Sequence, residues 1–281
     1  MIRWCAYCQR FLGEVEPYQD MNITHGMCAS CAKVGLEFSA EIEKRIYFLS
    51  RLQTQLRDLQ FSHDIELGKR LVDEGLSQGV RAIDLLLGIV TPLLKKFDAS
   101  TDGLAIKNIE KNLAAICEYI ATKANLSWPQ SLNEATPDIL FAAPPSNQHL
   151  FYLKVLELWL RDEGLFALSL NESMTNEKMQ TACEKYQPKV VGLIMSVNTE
   201  AEEINQLAQT ARETLRAAPP VIFVSGTAVR NRLVSEKDLP GLSLIYDEPQ
   251  LFLIIKANLA LGFFYDLKRN ANKPKRNHDD Q

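Results

Sequence analysis

The sequence contains none of the short motifs that identify common enzymes. It has no GxSxG nucleophile elbow, no phosphate-binding GxxxxGK loop, no GxGxxG dinucleotide fingerprint and no HExxH metal helix. Its carboxylates are numerous, but none forms a recognisable pair in a loop after a predicted strand. These absences predict a protein that binds or signals and is not an enzyme.

The sequence also has no excess of charge and no long apolar run. The net charge is -4, which favours neither nucleic acid nor an anionic membrane, so we expect no direct nucleic-acid binding. The apolar stretch at residues 251–264 is interrupted by Lys256 and Asn258, and no run reaches the length of about 18 residues that spans a membrane. No apolar signal segment follows Met1. We therefore expect a cytoplasmic protein without a membrane span.

Cysteine is scarce, but four of the six cysteines form a pattern. Cys5 and Cys8 make one CxxC pair, Cys28 and Cys31 make a second, and nineteen residues separate the pairs. Each CxxC turn presents two thiolates to one ion, and zinc accepts four such ligands in a tetrahedron. The pattern predicts a zinc-binding head at residues 1–34. Four thiolates leave no open position for hydrolytic chemistry.

The head has few basic residues, so we expect a protein partner for it and not DNA. Its segment at residues 23–28 resembles small cysteine-rich heads beside bacterial sensory domains. Because the cysteines are close in sequence, we expect the head to fold on its metal as a separate unit. A chain that begins near Glu37 should then stay folded.

Residues 38–125 carry a helical pattern. Apolar residues recur at spacings of three or four from Ile42 to Leu59, and three further helices are predicted at residues 62–76, 80–97 and 104–124. Four helices with short connections favour an antiparallel four-helix bundle. Residues 126–137 lack periodicity and are predicted to be a linker.

From residue 138 onward, short apolar runs alternate with helical patterns. Strands are predicted at residues 139–143, 166–170, 190–197, 221–224 and 242–246, with helices between them and a last helix at residues 249–267. This alternation is typical of a flavodoxin-like, doubly wound sheet of five parallel strands over residues 138–268. The polar tail, 269–281, is predicted to be disordered. The fold class is thus a multi-part α/β protein with a zinc knuckle.

This order of parts resembles the cobalamin-binding modules of methionine synthase, of methyltransferase corrinoid proteins and of light-sensing cobalamin-dependent regulators. In that family the loop after the first strand carries Asp-x-His-x-x-Gly, whose histidine ligates cobalt from below. The resemblance places His149 at the ligand position and Asn147 at the acidic position that orients it. Tyr152 replaces the glycine, which predicts weak or altered binding.

The resemblance implies further cofactor-binding residues. Ser196 stands two residues beyond the family's third-strand serine, and Ser225 and Gly226 replace a Gly-Gly pair that makes room for the nucleotide tail. Phe97 would cap the upper face, since the tryptophan and histidine of the photoreceptor branch are missing. By the residues alone, His149 is equally well an ordinary helix-start residue.

Three functions remain open at this point. The first is a regulator that holds cobalamin, or a related tetrapyrrole such as haem, between bundle and α/β domain and signals to a partner protein. The second is a ligand-free scaffold for protein contacts, favoured by the altered aspartate and glycine positions. The third is a corrinoid methyl carrier, whose chemistry a partner methyltransferase would supply.

Overall fold

The computed structural model describes residues 1–18, 20–62, 64–93, 103–123, 136–147, 150–246 and 250–259. The predicted linker (126–137) and tail (269–281) lie largely or wholly outside these residues, as do Phe97 and His149. In the part of the chain that is described, no helix combines the length and apolar character needed to cross a membrane.

The head is a three-stranded sheet followed by one short helix. The sheet order is β2-β1-β3, with β1 antiparallel to β2 and parallel to β3. Cys28 caps the first turn of the helix, because its Sγ accepts a hydrogen bond from the Cys31 N–H. The elements of the head are β1 (Ile2–Cys5), β2 (Phe11–Glu14), β3 (Ile23–Gly26) and α1 (Ala29–Val34).

The described residues of the bundle form four helical segments, in agreement with the periodicity. Their inner faces carry leucine and isoleucine at helical spacing, and Leu49, Leu52 and Ile120 are fully buried. The third segment begins as an α-helix and continues through a π-helical turn. The segments are α2 (Ala40–Ser62), α3 (Ile65–Ser77), α4 (Ala82–Leu85) with the π-turn (Leu86–Val90), and α5 (Gly103–Lys123).

The α/β domain has the predicted five parallel strands, in the order β5-β4-β6-β7-β8. Counted within the domain this is 2-1-3-4-5, the flavodoxin-like order, with a switch in direction between β4 and β6. Strands β4 (Ile139–Ala143), β5 (Ala167–Ser173), β6 (Val190–Ile194), β7 (Val221–Ser225) and β8 (Ser243–Leu244) form the sheet. Helices α6 (Phe151–Asp162), α7 (Asn176–Tyr186), α8 (Ala201–Thr214) and α9 (Thr227–Arg230) connect them.

A last helical segment is described over residues 250–259. Strands β6 and β8 are shorter than the apolar runs that predicted them. After β6, the Thr199 hydroxyl accepts a hydrogen bond from the Ser196 N–H, which turns the chain toward α8. The apolar run at residues 190–197 therefore extends beyond β6, which ends at Ile194.

The two faces of the sheet have different neighbours. Phe141, Gly192 and Phe223 stand side by side on three strands, and the two rings meet edge to face over the glycine. A Cβ at position 192 would lie 2.5 Å from the Phe223 ring, so only glycine fits there. This face packs toward α6 and the bundle, whereas the opposite face packs on α7 and α8.

The head shares its hydrophobic core with the bundle and the sheet. Trp4 is fully buried, and its ring lies against Gly88 in the π-turn, where a Cβ would be 2.2 Å from the ring. Ile2 and Trp4 belong to one continuous core with Leu49 of the bundle and Phe141 of the sheet. This packing argues against the expectation that the head is a separable unit. Its ligands are local in sequence, but its apolar contacts are not.

Candidate functional site

The four cysteines of the two CxxC pairs come together in the head. Their sulfur atoms all lie within 4.8 Å of one another, and those of Cys8 and Cys28 are 3.7 Å apart. A tetrahedron with Zn–S bonds of about 2.3 Å has sulfur–sulfur edges of about 3.8 Å. The cluster of Cys5, Cys8, Cys28 and Cys31 therefore has the size of a four-thiolate metal site.

Backbone groups and burial act on the thiols in opposite directions. Burial raises the pKa of Cys5, but N–H groups directed at its sulfur, above all that of Cys28 at 3.4 Å, lower it to about 7. Burial raises the pKa of Cys8, and contact with Cys5 raises it further. Four thiolates at this distance repel one another unless a cation lies between them. The donor set thus fits a soft divalent metal ion.

A second cluster of polar residues lies at the carboxyl edge of the parallel sheet. Asn147 follows β4, Ser196 follows β6, and Ser225 and Gly226 end β7. Asn147, Ser196 and Ser225 are all buried. The strand order changes direction between β4 and β6, and ligands of doubly wound sheets bind outside the carboxyl ends of the strands at that point. The structure therefore brings four sequence-predicted residues to the position where this fold binds ligands.

Hydrogen bonds fix the side chains at this edge. The Asn147 amide donates to the Ile194 carbonyl at 3.0 Å, and the Ser225 hydroxyl donates to the Ile245 carbonyl at 3.1 Å. The Ser196 hydroxyl lies 3.1 Å from that of Thr199. Each of these bonds joins loops of different strands or closes a turn. The loops of the edge are thus tied to one another by hydrogen bonds within the chain.

Gly226 brings the chain close to a neighbouring strand. Its φ of 112° is a conformation open to glycine, and a Cβ there would lie 2.4 Å from the Met195 carbonyl oxygen. The next residue, Thr227, has a buried hydroxyl with no hydrogen-bond partner among the residues that the structure describes. A buried hydroxyl in this state is a ready donor or acceptor for a ligand.

Sequence reasoning missed three residues of this edge. The Ser146 hydroxyl donates to the Glu203 carboxylate at 2.8 Å and lies 3.3 Å from the Thr199 hydroxyl, so the loop after β4 is tied to the start of α8. Glu203 follows an ordinary helix-start pattern and gives no sign of this role. Ser196 and Thr199, three residues apart, do form a local side-chain turn signal that could have been noticed.

A groove lies between the bundle and the α/β domain. Its volume is about 400 Å³, and it lies between α5 and α6. Leu150 and Phe151, the two residues after His149, line one side, and Ala114 and Cys117 line the other. Burial raises the pKa of the Cys117 thiol well above its usual value, so this side chain stays neutral, while Glu118 and Lys154 place charged groups in the lining. The groove offers apolar surface between the two parts of the chain.

Tyr152 follows on α6. It is half-buried and packs against the shared core.

The all-parallel sheet of order 2-1-3-4-5, preceded by a helical bundle, defines a doubly wound, flavodoxin-like α/β fold with a helical domain before it. The monomethylamine corrinoid protein of Methanosarcina barkeri has this fold, with a TM-score of 0.50 and 20% identity. The match covers 68% of this chain and 89% of that one. This likeness confirms the fold that the resemblance predicts.

Two other solved structures are more distant. A cobalamin-binding protein from Desulfitobacterium hafniense DCB-2 matches with a TM-score of 0.38 and 12% identity, over 74% of this chain and 98% of that one. The methanol:cobalamin methyltransferase complex from Methanosarcina barkeri matches with a TM-score of 0.34 and 12% identity, over 75% and 81%. No protein-family model and no curated protein matches this chain.

Proposed function

We propose that this chain is a non-catalytic regulatory protein that binds cobalamin, or a related tetrapyrrole such as haem, between its bundle and its α/β domain. The ligand state would change the packing between these parts and be read by a partner protein. The observation that most supports this function is the set of buried polar residues at the carboxyl edge of the sheet, Asn147, Ser196 and Ser225. They lie near the switch point of a fold shared with a corrinoid protein. The domain limits inferred from the sequence form part of the same proposal.

The residues of the carboxyl edge fit such a ligand in chemistry and size. Ser225 and Gly226 are small, and the buried Thr227 hydroxyl has no hydrogen-bond partner within the described part of the chain. Bound cobalamin would supply a cobalt ion with an exchangeable lower ligand. In the proposed arrangement His149 provides that ligand, Asn147 and Ser196 hold the loops on either side, and Phe97 covers the upper face.

The head is proposed to bind one zinc ion through its four cysteines. Reduced thiols in this number suit the cytoplasm, where we place the protein. The head's acidic and basic residues are nearly balanced, which favours a protein partner over nucleic acid.

Zinc binding predicts about one metal ion per chain in freshly purified, reduced protein. A Cys8→Ser variant should lose the metal, because three thiolates and a hydroxyl bind zinc far more weakly. Inductively coupled plasma mass spectrometry measures zinc, and Co²⁺ substitution reports thiolate ligation by its absorption bands. A Cys183→Ser variant, with a buried thiol outside the cluster, should keep its zinc. If the wild-type protein contains no zinc, or if the two variants contain equal amounts, the prediction of a zinc site is wrong.

Cobalamin binding predicts a change in the absorption spectrum of hydroxocobalamin when the protein is added. A His149→Ala variant should lose this change and bind at least about tenfold more weakly, since each tenfold change in affinity is about 1.4 kcal/mol. Titration followed by absorption gives both quantities. A Tyr152→Ala variant serves as the comparison, because a ring that fills the family's glycine position should hinder binding.

The outcomes separate the remaining hypotheses. An identical spectral change in wild type and His149→Ala removes the histidine from the mechanism. No binding by any variant favours the ligand-free scaffold.

A corrinoid methyl carrier is the second candidate, favoured by the likeness to the monomethylamine corrinoid protein. A carrier must present its cofactor to an enzyme that demethylates it, whereas a regulator changes its own shape. Loading with methylcobalamin and adenosylcobalamin, each in light and in dark, distinguishes the two. A ligand-dependent change in hydrogen exchange across α5 and α6 supports regulation. Unchanged exchange, together with methyl transfer to a thiol when a methyltransferase is added, supports the carrier.

A further inference from the structure

The head contacts the bundle through hydrogen bonds as well as through Trp4. Arg45 of α2 donates to the Tyr7 carbonyl at 2.8 Å, and the Phe11 N–H donates to the buried Asp84 carboxylate at 3.2 Å. Gln53 of α2 donates to the Met21 carbonyl. These contacts fix β1, β2 and the segment before β3 against two helices. The head is thus attached to the bundle at three separate points.

The same head also contacts the α/β domain. Arg230 of α9 donates to the Tyr18 carbonyl at 2.7 Å, lies 5.1 Å from the centre of the Tyr18 ring and pairs with Glu14. The Arg230 and Glu14 side chains are 9% and 3% exposed, so this ion pair is buried. A second pair, Arg232 with Glu16 at 2.8 Å, lies at the exposed rim.

These contacts lie beside the candidate ligand site. Helix α9 begins at Thr227, directly after Gly226 at the carboxyl end of β7. The loop of the head that carries Tyr18 therefore lies against the carboxyl edge of the sheet. A buried ion pair adds little net stability, but it fixes one geometry, because either charge left alone in that position is costly. The pair specifies where the head sits over the edge.

The cysteine cluster links distant parts of the head. Its strands have only four residues each, and the cysteines join the turn after β1 to the start of α1. The apolar contacts of Ile2 and Trp4 anchor β1 to the bundle, but a segment this small still needs the metal to hold its remaining turns and strands together. Glu14 ends β2, the strand that follows the first pair of cysteines. Loss of the metal should therefore reach Glu14 through the small sheet.

We propose that the head is a metal-dependent clasp that holds the bundle and the α/β domain together over the carboxyl edge of the sheet. Metal occupancy then regulates access to the candidate ligand site. The inference rests on the proposed zinc site and extends the proposed function. Glu14, Tyr18 and Arg230 form the clasp contact. The cysteines do not touch it, but they hold the small sheet that carries Glu14.

Hydrogen–deuterium exchange of the full chain without cobalamin tests the clasp directly. Removal of zinc by a chelator under reducing conditions should speed exchange at least tenfold in two places, the π-turn (Leu86–Val90) and α9. Helix α7, which packs on the opposite face of the sheet, is the internal reference and should not change. Equal exchange with and without zinc, or an increase confined to residues 1–34, would overturn the clasp.

Variants separate the clasp contact from metal binding. A Glu14→Met/Arg230→Met double variant removes both buried charges and leaves no unpaired one. The double variant should keep its zinc, and the amides of the π-turn should exchange at the wild-type rate. The amides of α9 should exchange faster. An Arg232→Ala variant, which breaks the exposed pair, should match the wild type. Unchanged α9 exchange in the double variant would show that Arg230 does not hold the head.

A titration with hydroxocobalamin links the clasp to the ligand site. The affinity of zinc-loaded protein should differ at least fivefold from that of zinc-depleted protein. If neither form binds, the proposed function fails, and the exchange experiment still decides the clasp. If both bind equally while exchange changes, the clasp exists but does not regulate the site.

Discussion

A Gly226→Ala variant is expected to lose about 3–5 kcal/mol of the free energy of unfolding. The φ of 112° is strained for any residue with a side chain, and the new Cβ would lie 2.4 Å from the Met195 carbonyl oxygen. The Met195 oxygen belongs to the backbone, and the backbone also fixes the position of the Cβ, so no side-chain rotation can relieve the contact. Urea denaturation followed by circular dichroism measures the loss.

Gly241 provides the matched control. Its φ of 73° is also positive, but a Cβ there meets nothing closer than an Arg212 side-chain nitrogen at 3.8 Å. Gly241→Ala should therefore cost only about 1 kcal/mol, the price of the backbone conformation. Equal losses in the two variants would show that the contact with Met195 contributes nothing, and that β7 ends in a looser edge than described.

A Trp4→Ala variant is expected to lose about 3–5 kcal/mol, the usual cost of removing a large aromatic side chain from a core. The indole is fully buried, meets Phe11 edge to face and fills the space that Gly88 leaves in the π-turn. The destabilisation should extend to the bundle, because the two parts share a core. Thermal unfolding and hydrogen exchange of α4 measure it.

Tyr47→Ala is the control for Trp4→Ala, since Tyr47 is an aromatic residue on α2 that is 74% exposed. Its free energy of unfolding should stay within about 0.5 kcal/mol of the wild type. If Trp4→Ala released zinc and left the exchange of α4 unchanged, the head would be the separable unit that the sequence suggests. A chain that begins at Glu37 would then also keep its bundle folded.

The features whose structure is determined by residues close together in the sequence could be predicted. The cysteine cluster follows from two CxxC pairs, because each turn places its two thiolates on one side. Strands β4, β6 and β7 follow from short apolar runs, since a parallel strand covered on both faces is apolar throughout. The parallel, doubly wound sheet then follows from the alternation of strands and helices, and five strands in about 130 residues favour the flavodoxin-like form.

The contacts that join the parts were not predictable in this way. Glu14 and Arg230 are more than two hundred residues apart, and nothing near either one marks it as half of a buried pair. Trp4 beside Cys5 suggests a core residue of the head, but its partner is Gly88 in the bundle. A glycine inside a helical pattern indicates only a weaker helix until the ring that occupies its space is known.

The π-turn contacts every part of the molecule. It touches β1 and β2 of the head, α2 and α5 of the bundle, and α6 of the α/β domain, and all five of its residues are buried. Ile89, in its middle, is 1% exposed. A carbon-13 label on the δ1 methyl group of this single isoleucine would therefore give an NMR signal that senses metal at one end of the chain and ligand at the other. The chemical shift of this one peak could follow a zinc titration and a cobalamin titration of the intact protein.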